Sequence, residues 1–415
     1  MRLRHPALIA GFLLFAVLCT WSLAVAVKQP QVAAPYGDPA DYNSAAIHLA
    51  ESGIYSLDGV TPFFEREPGF SMFLAGVYVL FGAGNVVMAL LSVAAVYFLS
   101  VVAFAVSLRP FVNRRTELFI FFGLLVLPQV YHSIFSFTRE GVALALGLLF
   151  SACVLRAIRP GFWLEAVGAG LFLGLLIITN IPFLLVPLAL PVLFWLLGGS
   201  WKQGLLISVV SLVIVGGWGA RNFLHRGELC LTGCHRSVLQ WYVRAEQAET
   251  LRGREPFDCL WSEYITRDWT GRDKNCSFNA VWHYKWTKGY VPGPEDSILE
   301  RESQKRILEL WPHYLWMSVF EVLEIHVPYV NGWGRTYNFL TVFMTVILYL
   351  GVLLWLLSRR WSRVLLLPLF LIFYVVGLFA LTDATPRYLV PVSFCYVWFA
   401  AMGYDWLLSR LPSKR

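Results

Sequence analysis

The chain is a succession of apolar runs, most near the roughly 20 residues that an α-helix needs to cross about 30 Å of hydrocarbon. They fall at 7–27, 86–107, 117–130, 141–158, 162–179, 181–198, 204–220, 338–357, 364–381 and 388–408, the third being short. The pattern predicts an all-α membrane protein, a polytopic helix bundle of about ten spans. Two further apolar stretches break the alternation. Residues 70–82 are too short to span and lie between Pro68-Gly69 and Gly82-Ala83-Gly84, which predicts a helix lying along the interface. Residues 311–330 carry Glu321, Glu324 and His326 among Trp311, Tyr314, Trp316 and Phe320, the composition of an interfacial helix. Just before it, Pro294 to Trp311 reads as an amphipathic helix, with Ile298, Leu299, Ile307, Leu308 and Trp311 on one broad face.

Composition agrees with the pattern. The 415 residues are 58% hydrophobic and 14% charged, whereas a soluble domain is about 45–50% apolar. Lys and Arg gather at alternate junctions: Arg2 and Arg4; Arg109, Arg114 and Arg115; Arg156 and Arg159; Lys202; Arg359, Arg360 and Arg363; Arg410, Lys414 and Arg415. Because cytoplasmic loops retain positive charge, both termini are expected in the cytoplasm and the segments 28–85, 131–140, 221–337 and 382–387 on the opposite face. The net charge of +7 is then an orientation signal, and nucleic acid is not an expected partner. The apolar run of the first 27 residues exceeds the 7–15 of a signal peptide, so an uncleaved span is expected there.

These boundaries divide the chain into an N-terminal transmembrane catalytic bundle, 1–220, containing the first outer loop 28–85; a non-cytoplasmic loop domain, 221–337; and C-terminal helices with a basic tail, 338–415. Of seven cysteines, Cys19, Cys153 and Cys395 fall in spans and read as small buried hydrophobes. Cys230, Cys234, Cys259 and Cys276 share the outer loop, an even set on the oxidising side that suggests two disulfides with three possible pairings. A zinc site would favour tighter Cys-x-x-Cys spacing.

No Walker A loop, GxGxxG, His-Glu-x-x-His or Gly-x-Ser-x-Gly occurs, so nucleotide hydrolysis, Rossmann cofactors, zincin proteolysis and serine esterase chemistry lack support. No cofactor is expected. Charge does collect on the outer side, in Tyr36-Gly37-Asp38-Pro39-Ala40-Asp41-Tyr42 and Glu65-Arg66-Glu67-Pro68-Gly69-Phe70. Charge at the mouth of a membrane bundle is expensive and usually functional. Asp38 and Asp41, at the edge of low dielectric, are candidate general bases. Arg66, Arg139, Arg221 and Arg387 all lie at outer boundaries, where a guanidinium could bind an anionic group bidentately. Tyr42, Glu67 and Glu140 are further site candidates. No metal is expected where arginines can hold a singly phosphorylated ligand, whereas a pyrophosphate would favour a divalent cation.

Asp38-x-x-x-Tyr42, Gly53-Ile54-Tyr55 and Arg66-Glu67-Pro68-Gly69-Phe70 resemble the first outer loop of the protein mannosyltransferase and aminoarabinose transferase group, membrane glycosyltransferases of the GT-C type. Thr138-Arg139-Glu140, Thr179-Asn180, Trp218-Gly219-Ala220-Arg221-Asn222-Phe223 and Pro386-Arg387-Tyr388-Leu389-Val390-Pro391 extend the resemblance along most of the chain. It implies inverting sugar transfer from a polyprenyl-phosphate donor to a lipid, glycan or protein acceptor on the non-cytoplasmic face, with Asp38 in the position of the family's base. Pro39 replaces the usual second acid, which leaves room for Asp41 to share the role, and Glu67 stands before Pro68 where the family often has Pro-Pro. Membrane lipids are the surroundings, and a bacterial inner membrane with the site facing the periplasm or exterior is the expected location.

Plainer roles compete for the same residues. Asp38 suits a turn, Asp41 a helix N-cap; Arg66 could pair with Glu65 or Glu67, Arg139 with Glu140, and Arg221 and Arg387 could snorkel at span ends. A membrane transporter or lipid-linked sugar flippase is the alternative function, but it would place charges within spans near the midplane. Here they gather at one face.

Overall fold

The computed structural model describes residues 5–28, 37–159, 161–227, 229–232, 296–326, 335–381 and 386–411. Helices carry almost all of this structure: α1 (His5–Ala26), α2 (Asp38–Ser52), α3 (Pro68–Phe81), α4 (Val86–Leu108), α5 (Arg114–Val126), α6 (Pro128–Phe135), α7 (Glu140–Ala157), α8 (Trp163–Thr179), α9 (Val186–Leu196), α10 (Trp201–Arg226), α11 (Asp296–Glu309), α12 (Trp311–Glu324), α13 (Arg335–Ser358), α14 (Leu366–Leu381) and α15 (Ser393–Arg410). Short 3-10 turns at Ile181–Leu185, Arg363–Leu365 and Pro386–Val392 lead into α9, α14 and α15. The isolated bridge among the described residues is antiparallel, between Ser56 and Pro62.

Among the described residues six segments are long and apolar enough to cross a membrane: Pro6–Ala26, Val86–Leu108, Glu140–Ala157, Trp201–Arg226, Thr336–Ser358 and Arg363–Leu381. The chain is an integral membrane protein. The count differs from the ten read off apolar run lengths, and proline explains much of the difference. The run at 117–130 is broken where extended Leu127 meets Pro128, so α5 and α6 are bent by 47° and make at most one span together. The runs at 162–179 and 181–198 become α8, of 17 residues, and α9, of 11 residues after a 3-10 turn. At about 1.5 Å per residue both fall short of the hydrocarbon thickness. The run at 388–408 opens as a 3-10 turn containing Pro391 and continues as α15.

The chain divides into two compact units, one of residues 1–232, 328–375 and 386–415, the other of 233–327 and 376–385. In the first, α7 is central: 83% of its most apolar stretch is buried, against 22% for α1. It packs between α4, α8 and the turn Pro386–Val392. The α2–α3 pair is tied by hydrogen bonds from Tyr78 Oη to Asn43 Oδ1, 2.6 Å, and from Ser71 Oγ to the Tyr42 carbonyl, 3.1 Å. Gly69, in the first turn of α3, lies so close to the end of α8 that a Cβ there would sit 2.8 Å from Thr179 Cα. That approach seats α3 against α8.

In the second unit α11 and α12 are separate helices, with Ile307, Leu310 and Ile325 buried. α11 ends at Glu309, two residues before Trp311, and α12 ends at Glu324, within the predicted 311–330. Cys19, Cys153 and Cys395 are free thiols and Cys230 is disulfide-bonded. Cys234, Cys259 and Cys276 lie outside the described residues, as does Tyr36.

α13 and α15 cross at two glycines. A Cβ on Gly351 would lie 2.6 Å from Ala400 Cβ, and one on Gly403 would lie 2.6 Å from Trp355 N. Small residues permit such close backbone approach between membrane helices. Gly403→Val should therefore force the two helices apart and lower the thermal midpoint of the detergent-solubilised protein by several degrees, whereas Gly377→Val, at a position with open space for a Cβ, should leave it unchanged.

Candidate functional site

Several helix starts converge on one cluster of charge. α2 begins at Asp38 with Pro39 in its first turn, behind Gly37, whose φ of 64° lies in the left-handed region that glycine tolerates. Asp38 and Asp41, three residues apart, project from one face of that turn. α3 begins at Pro68 with Glu67 as its N-cap, and α7 begins at Glu140 with Arg139 as its N-cap. Each of the four carboxylates thus stands at the positive end of a helix dipole, where negative charge is stabilised.

Three guanidiniums bind these carboxylates together. Arg66 pairs with Asp38 through Nη2, and its Nε donates to Asp41 Oδ2 at 2.9 Å. Arg139 pairs with Glu67 Oε1, while Glu67 Oε2 accepts from the Tyr42 hydroxyl at 3.4 Å. Arg387, from the turn before α15, reaches Asp38 Oδ2 at 3.7 Å and Glu140 Oε1 at 3.9 Å. Both oxygens of Asp38 therefore face arginine. The network descends into the protein: Arg66, Glu67, Glu140 and Tyr42 are buried, whereas the Asp38 and Arg387 side chains keep 35% and 33% of their exposure. Asp38 and Arg387 form its open end.

Burial penalises the charge of each arginine, yet all three are held above the ordinary guanidinium range because carboxylates offset that penalty. Asp38 is the foremost opposing influence on Arg66 and Glu67 on Arg139; for Arg387 it is Tyr388, followed by Glu140 and Asp38. Burial likewise drives the Tyr42 phenol upward, so it stays a neutral donor to Glu67. The Arg387 contacts are long, and Arg387 Nε and Glu140 Oε2 are buried without a hydrogen-bond partner. Among the arginines of the cluster, Arg387 has the loosest pairing.

Arg221, expected beside the other arginines, joins a different assembly. Its Nη atoms donate to the carbonyls of Phe63 at 3.2 Å and Tyr55 at 3.3 Å, and its guanidinium lies 4.8 Å from the Trp218 ring centroid and 4.9 Å from that of Phe64. It makes no ion pair among the described residues. Local carbonyl acceptors and ring faces satisfy this guanidinium in place of a carboxylate. The Tyr55 hydroxyl then donates to the carbonyls of Arg66, 3.2 Å, and Glu67, 3.4 Å, so Arg221 braces the cluster from behind. Asn222 extends the brace to the carbonyls of Cys230 and Leu231.

The structure adds a residue that sequence reasoning passed over. Phe137 is fully buried with φ 58°, a backbone conformation rare outside glycine, and its ring meets Phe70 edge-on at 5.9 Å. It sits two residues before Arg139, so the strained turn aims that guanidinium. The motif Thr138-Arg139-Glu140 pointed to the place, but no residue-type signal marked Phe137. Asn180 follows the Thr179 that abuts Gly69, and its buried Oδ1 has no partner. Among the described residues no group of three or more His, Cys, Asp or Glu is placed to hold a metal ion.

No family model matches the chain, and no curated protein sequence does. Solved structures similar to it include ArnT from Cupriavidus metallidurans bound to undecaprenyl phosphate, at 16% identity over 95% of this chain and 77% of that one, with a TM-score of 0.45. Another is the oligosaccharyltransferase AglB from Archaeoglobus fulgidus, in complex with an inhibitory peptide and a dolichol-phosphate, at 12% identity over 97% of this chain and 52% of that one, TM-score 0.45. Likeness at this level assigns this chain no substrate.

Two substitutions separate the roles within the cluster. Arg139→Gln leaves Glu67 buried without its ion partner and should cost about 3–5 kcal/mol of stability, whereas Arg139→Gln with Glu67→Gln together should recover part of that loss; chemical-denaturation midpoints of the purified protein measure both. Arg221→Gln keeps a carbonyl-facing donor but removes the charge held over the rings, and a smaller loss of about 1 kcal/mol is expected on the same scale.

Proposed function

We propose that the chain is an integral-membrane glycosyltransferase that moves a hexose- or pentose-sized sugar from a polyprenyl-phosphate donor to an acceptor on the non-cytoplasmic face, with inversion at the anomeric carbon. A bacterial inner membrane with the site facing the periplasm fits this reading. The observation that carries it is the open end of the ion-pair network, where a half-exposed Asp38 carboxylate stands beside a loosely held Arg387 guanidinium. In the reaction, the acceptor hydroxyl or amine attacks the anomeric carbon and its proton passes to Asp38. The bond from that carbon to the phosphate oxygen breaks, and the polyprenyl phosphate leaves with the bonding electrons.

The pairing suggests an order of events. A carboxylate held between two arginines is a poor base, since opposite charge favours its ionised form. A donor phosphate that draws Arg387 to itself removes one of those two neighbours, so donor binding prepares Asp38 to accept a proton. Arg66 and Arg139 are more deeply committed to carboxylates, and their role is to hold Asp38, Asp41 and Glu67 in register. Asp41, one hydrogen bond away on the same guanidinium, is the alternative base.

Mass spectrometry of envelope lipids and glycans from cells carrying wild-type protein, Asp38→Asn, Asp41→Asn or no protein tests the assignment, with membrane levels of each variant checked. Loss of a hexose- or pentose-sized mass with Asp38→Asn at normal protein level is the expected result. Loss with Asp41→Asn alone moves the base within the loop, and retention by both of whatever the deletion abolishes sinks the proposed centre. In purified protein, Arg387→Gln should weaken binding of a polyprenyl phosphate by about 10- to 100-fold, the loss of one or two charge-assisted hydrogen bonds. Unchanged affinity would remove Arg387 from the donor site.

A further inference from the structure

The opposite end of α7 carries a second concentration of charge, of one sign. α7 starts at Glu140 in the cluster and ends at Ala157, a rise of about 27 Å for 18 residues, close to the thickness of a bilayer's hydrocarbon core. Arg156 and Arg159 close it. Arg159 is joined to the start of α10, where Gln203 Nε2 donates to the Arg159 carbonyl at 3.4 Å, and in the loop before that helix a Cβ on Gly199 would lie 3.4 Å from Ile158 Cα. On the other side of the same loop, a Cβ on Gly198 would lie 3.9 Å from Arg363 Nη1. The fold thus brings the end of α7, the start of α10 and the turn before α14 to one place, presenting Arg159, Lys202 and Arg363, all exposed.

Three other basic residues predicted for this face are neutralised by the protein itself. Arg109 Nε pairs with Glu117 at 2.8 Å, and Asp405 takes Arg360 at 3.1 Å and Arg115 at 4.0 Å. Arg159, Lys202 and Arg363 have no such carboxylate: none makes an ion pair among the described residues, and Arg156 donates only to the neutral Ser107 hydroxyl at 3.0 Å. Between residues 156 and 205 the one acidic residue is Glu165, which makes no ion pair there either. An orientation signal explains why basic residues lie on this side. It does not explain why three from separate segments converge without a carboxylate while Arg109, Arg115 and Arg360 are each given one. Trp201, beside Lys202, and Trp361, two residues before Arg363, are 52% and 58% exposed, in keeping with a headgroup-level position.

We propose that Arg159, Lys202 and Arg363 form a binding site for the phosphate headgroup of an anionic membrane lipid. The apolar sides of α9 and α14 offer acyl chains a surface on the helices that adjoin the charges: Leu188, Val192 and Phe373 are largely exposed. A soluble anion would gain the charges and none of that surface. Basic pockets between membrane helices on the cytoplasmic side suit this class of lipid. The site is separate from the charge cluster, and its existence does not depend on the glycosyltransferase reading.

The test uses the full-length protein in nanodiscs of phosphatidylcholine with and without phosphatidylglycerol, followed by native mass spectrometry of retained lipid. Wild type should keep phosphatidylglycerol over phosphatidylcholine, and the triple variant Arg159→Gln, Lys202→Gln, Arg363→Gln should bind it at least tenfold more weakly. Lys202→Gln alone, a change at an exposed side chain, should give a partial loss, and Arg410→Gln on another helix should give none. Equal retention by wild type and both Lys202→Gln and the triple variant would overturn the proposal. So would full competition by millimolar inorganic phosphate, which would make the site one for a free anion, or a wild type that shows no preference between the two lipids, which would leave the surface to a partner of another kind.

Discussion

The cost of removing charge from water shapes this molecule more than any other constraint. Arg139 and Glu67 are buried together at the junction of α3 and α7, and neither is tolerable there alone. Their pairing requires Glu67 to cap α3, Arg139 to cap α7, and the two helix starts to face one another. From that arrangement the remainder follows outward: Tyr42 answers the second oxygen of Glu67, Arg66 ties the adjacent chain to α2, and Arg387 closes the set from a turn almost 250 residues further along the sequence. The network is first a fastener between segments distant in the chain. Its open end is the place where fastening is least complete.

Helix starts do the electrostatic work that isolated side chains could not. α2, α3 and α7 all begin at the cluster, so their unpaired backbone N–H groups add fixed positive potential to that of the arginines. Proline assists by presetting the backbone at the first turns of α2 and α3 without sacrificing a helix hydrogen bond. The same residue type breaks the run between α5 and α6. Position relative to a helix, and not proline content, decides which effect is obtained.

This distinction also separates what could be read in the sequence from what could not. Asp38, Asp41, Arg66, Glu67, Arg139, Glu140 and Arg387 were legible because a charged residue between apolar runs has few inexpensive locations, and the structure brings all seven together. Arg221 had the same signature and a different environment, since cation–π contacts and carbonyl acceptors from Tyr55 and Phe63 leave no trace in residue type. Apolar run length located the long apolar helices but registers hydrophobicity alone and is blind to the breaks at Leu127-Pro128 and Ile181–Leu185. Gly69 appeared only as part of a Pro-Gly boundary. Its actual constraint, backbone contact with Thr179, belongs to the packing of two helices and is invisible in either alone.

Phe137 shows how such a fold can oppose two demands at one position. Its left-handed backbone would suit glycine or asparagine, whereas its ring fills buried space against Phe70. A smaller residue would relax the main chain and empty the core; the existing one fills the core and keeps the main chain under tension. The turn leading to Arg139 is consequently held by competing forces that balance at one geometry, in the manner of a tensioned joint, and a side chain that lowered the local energy would also loosen the aim of the guanidinium beyond it.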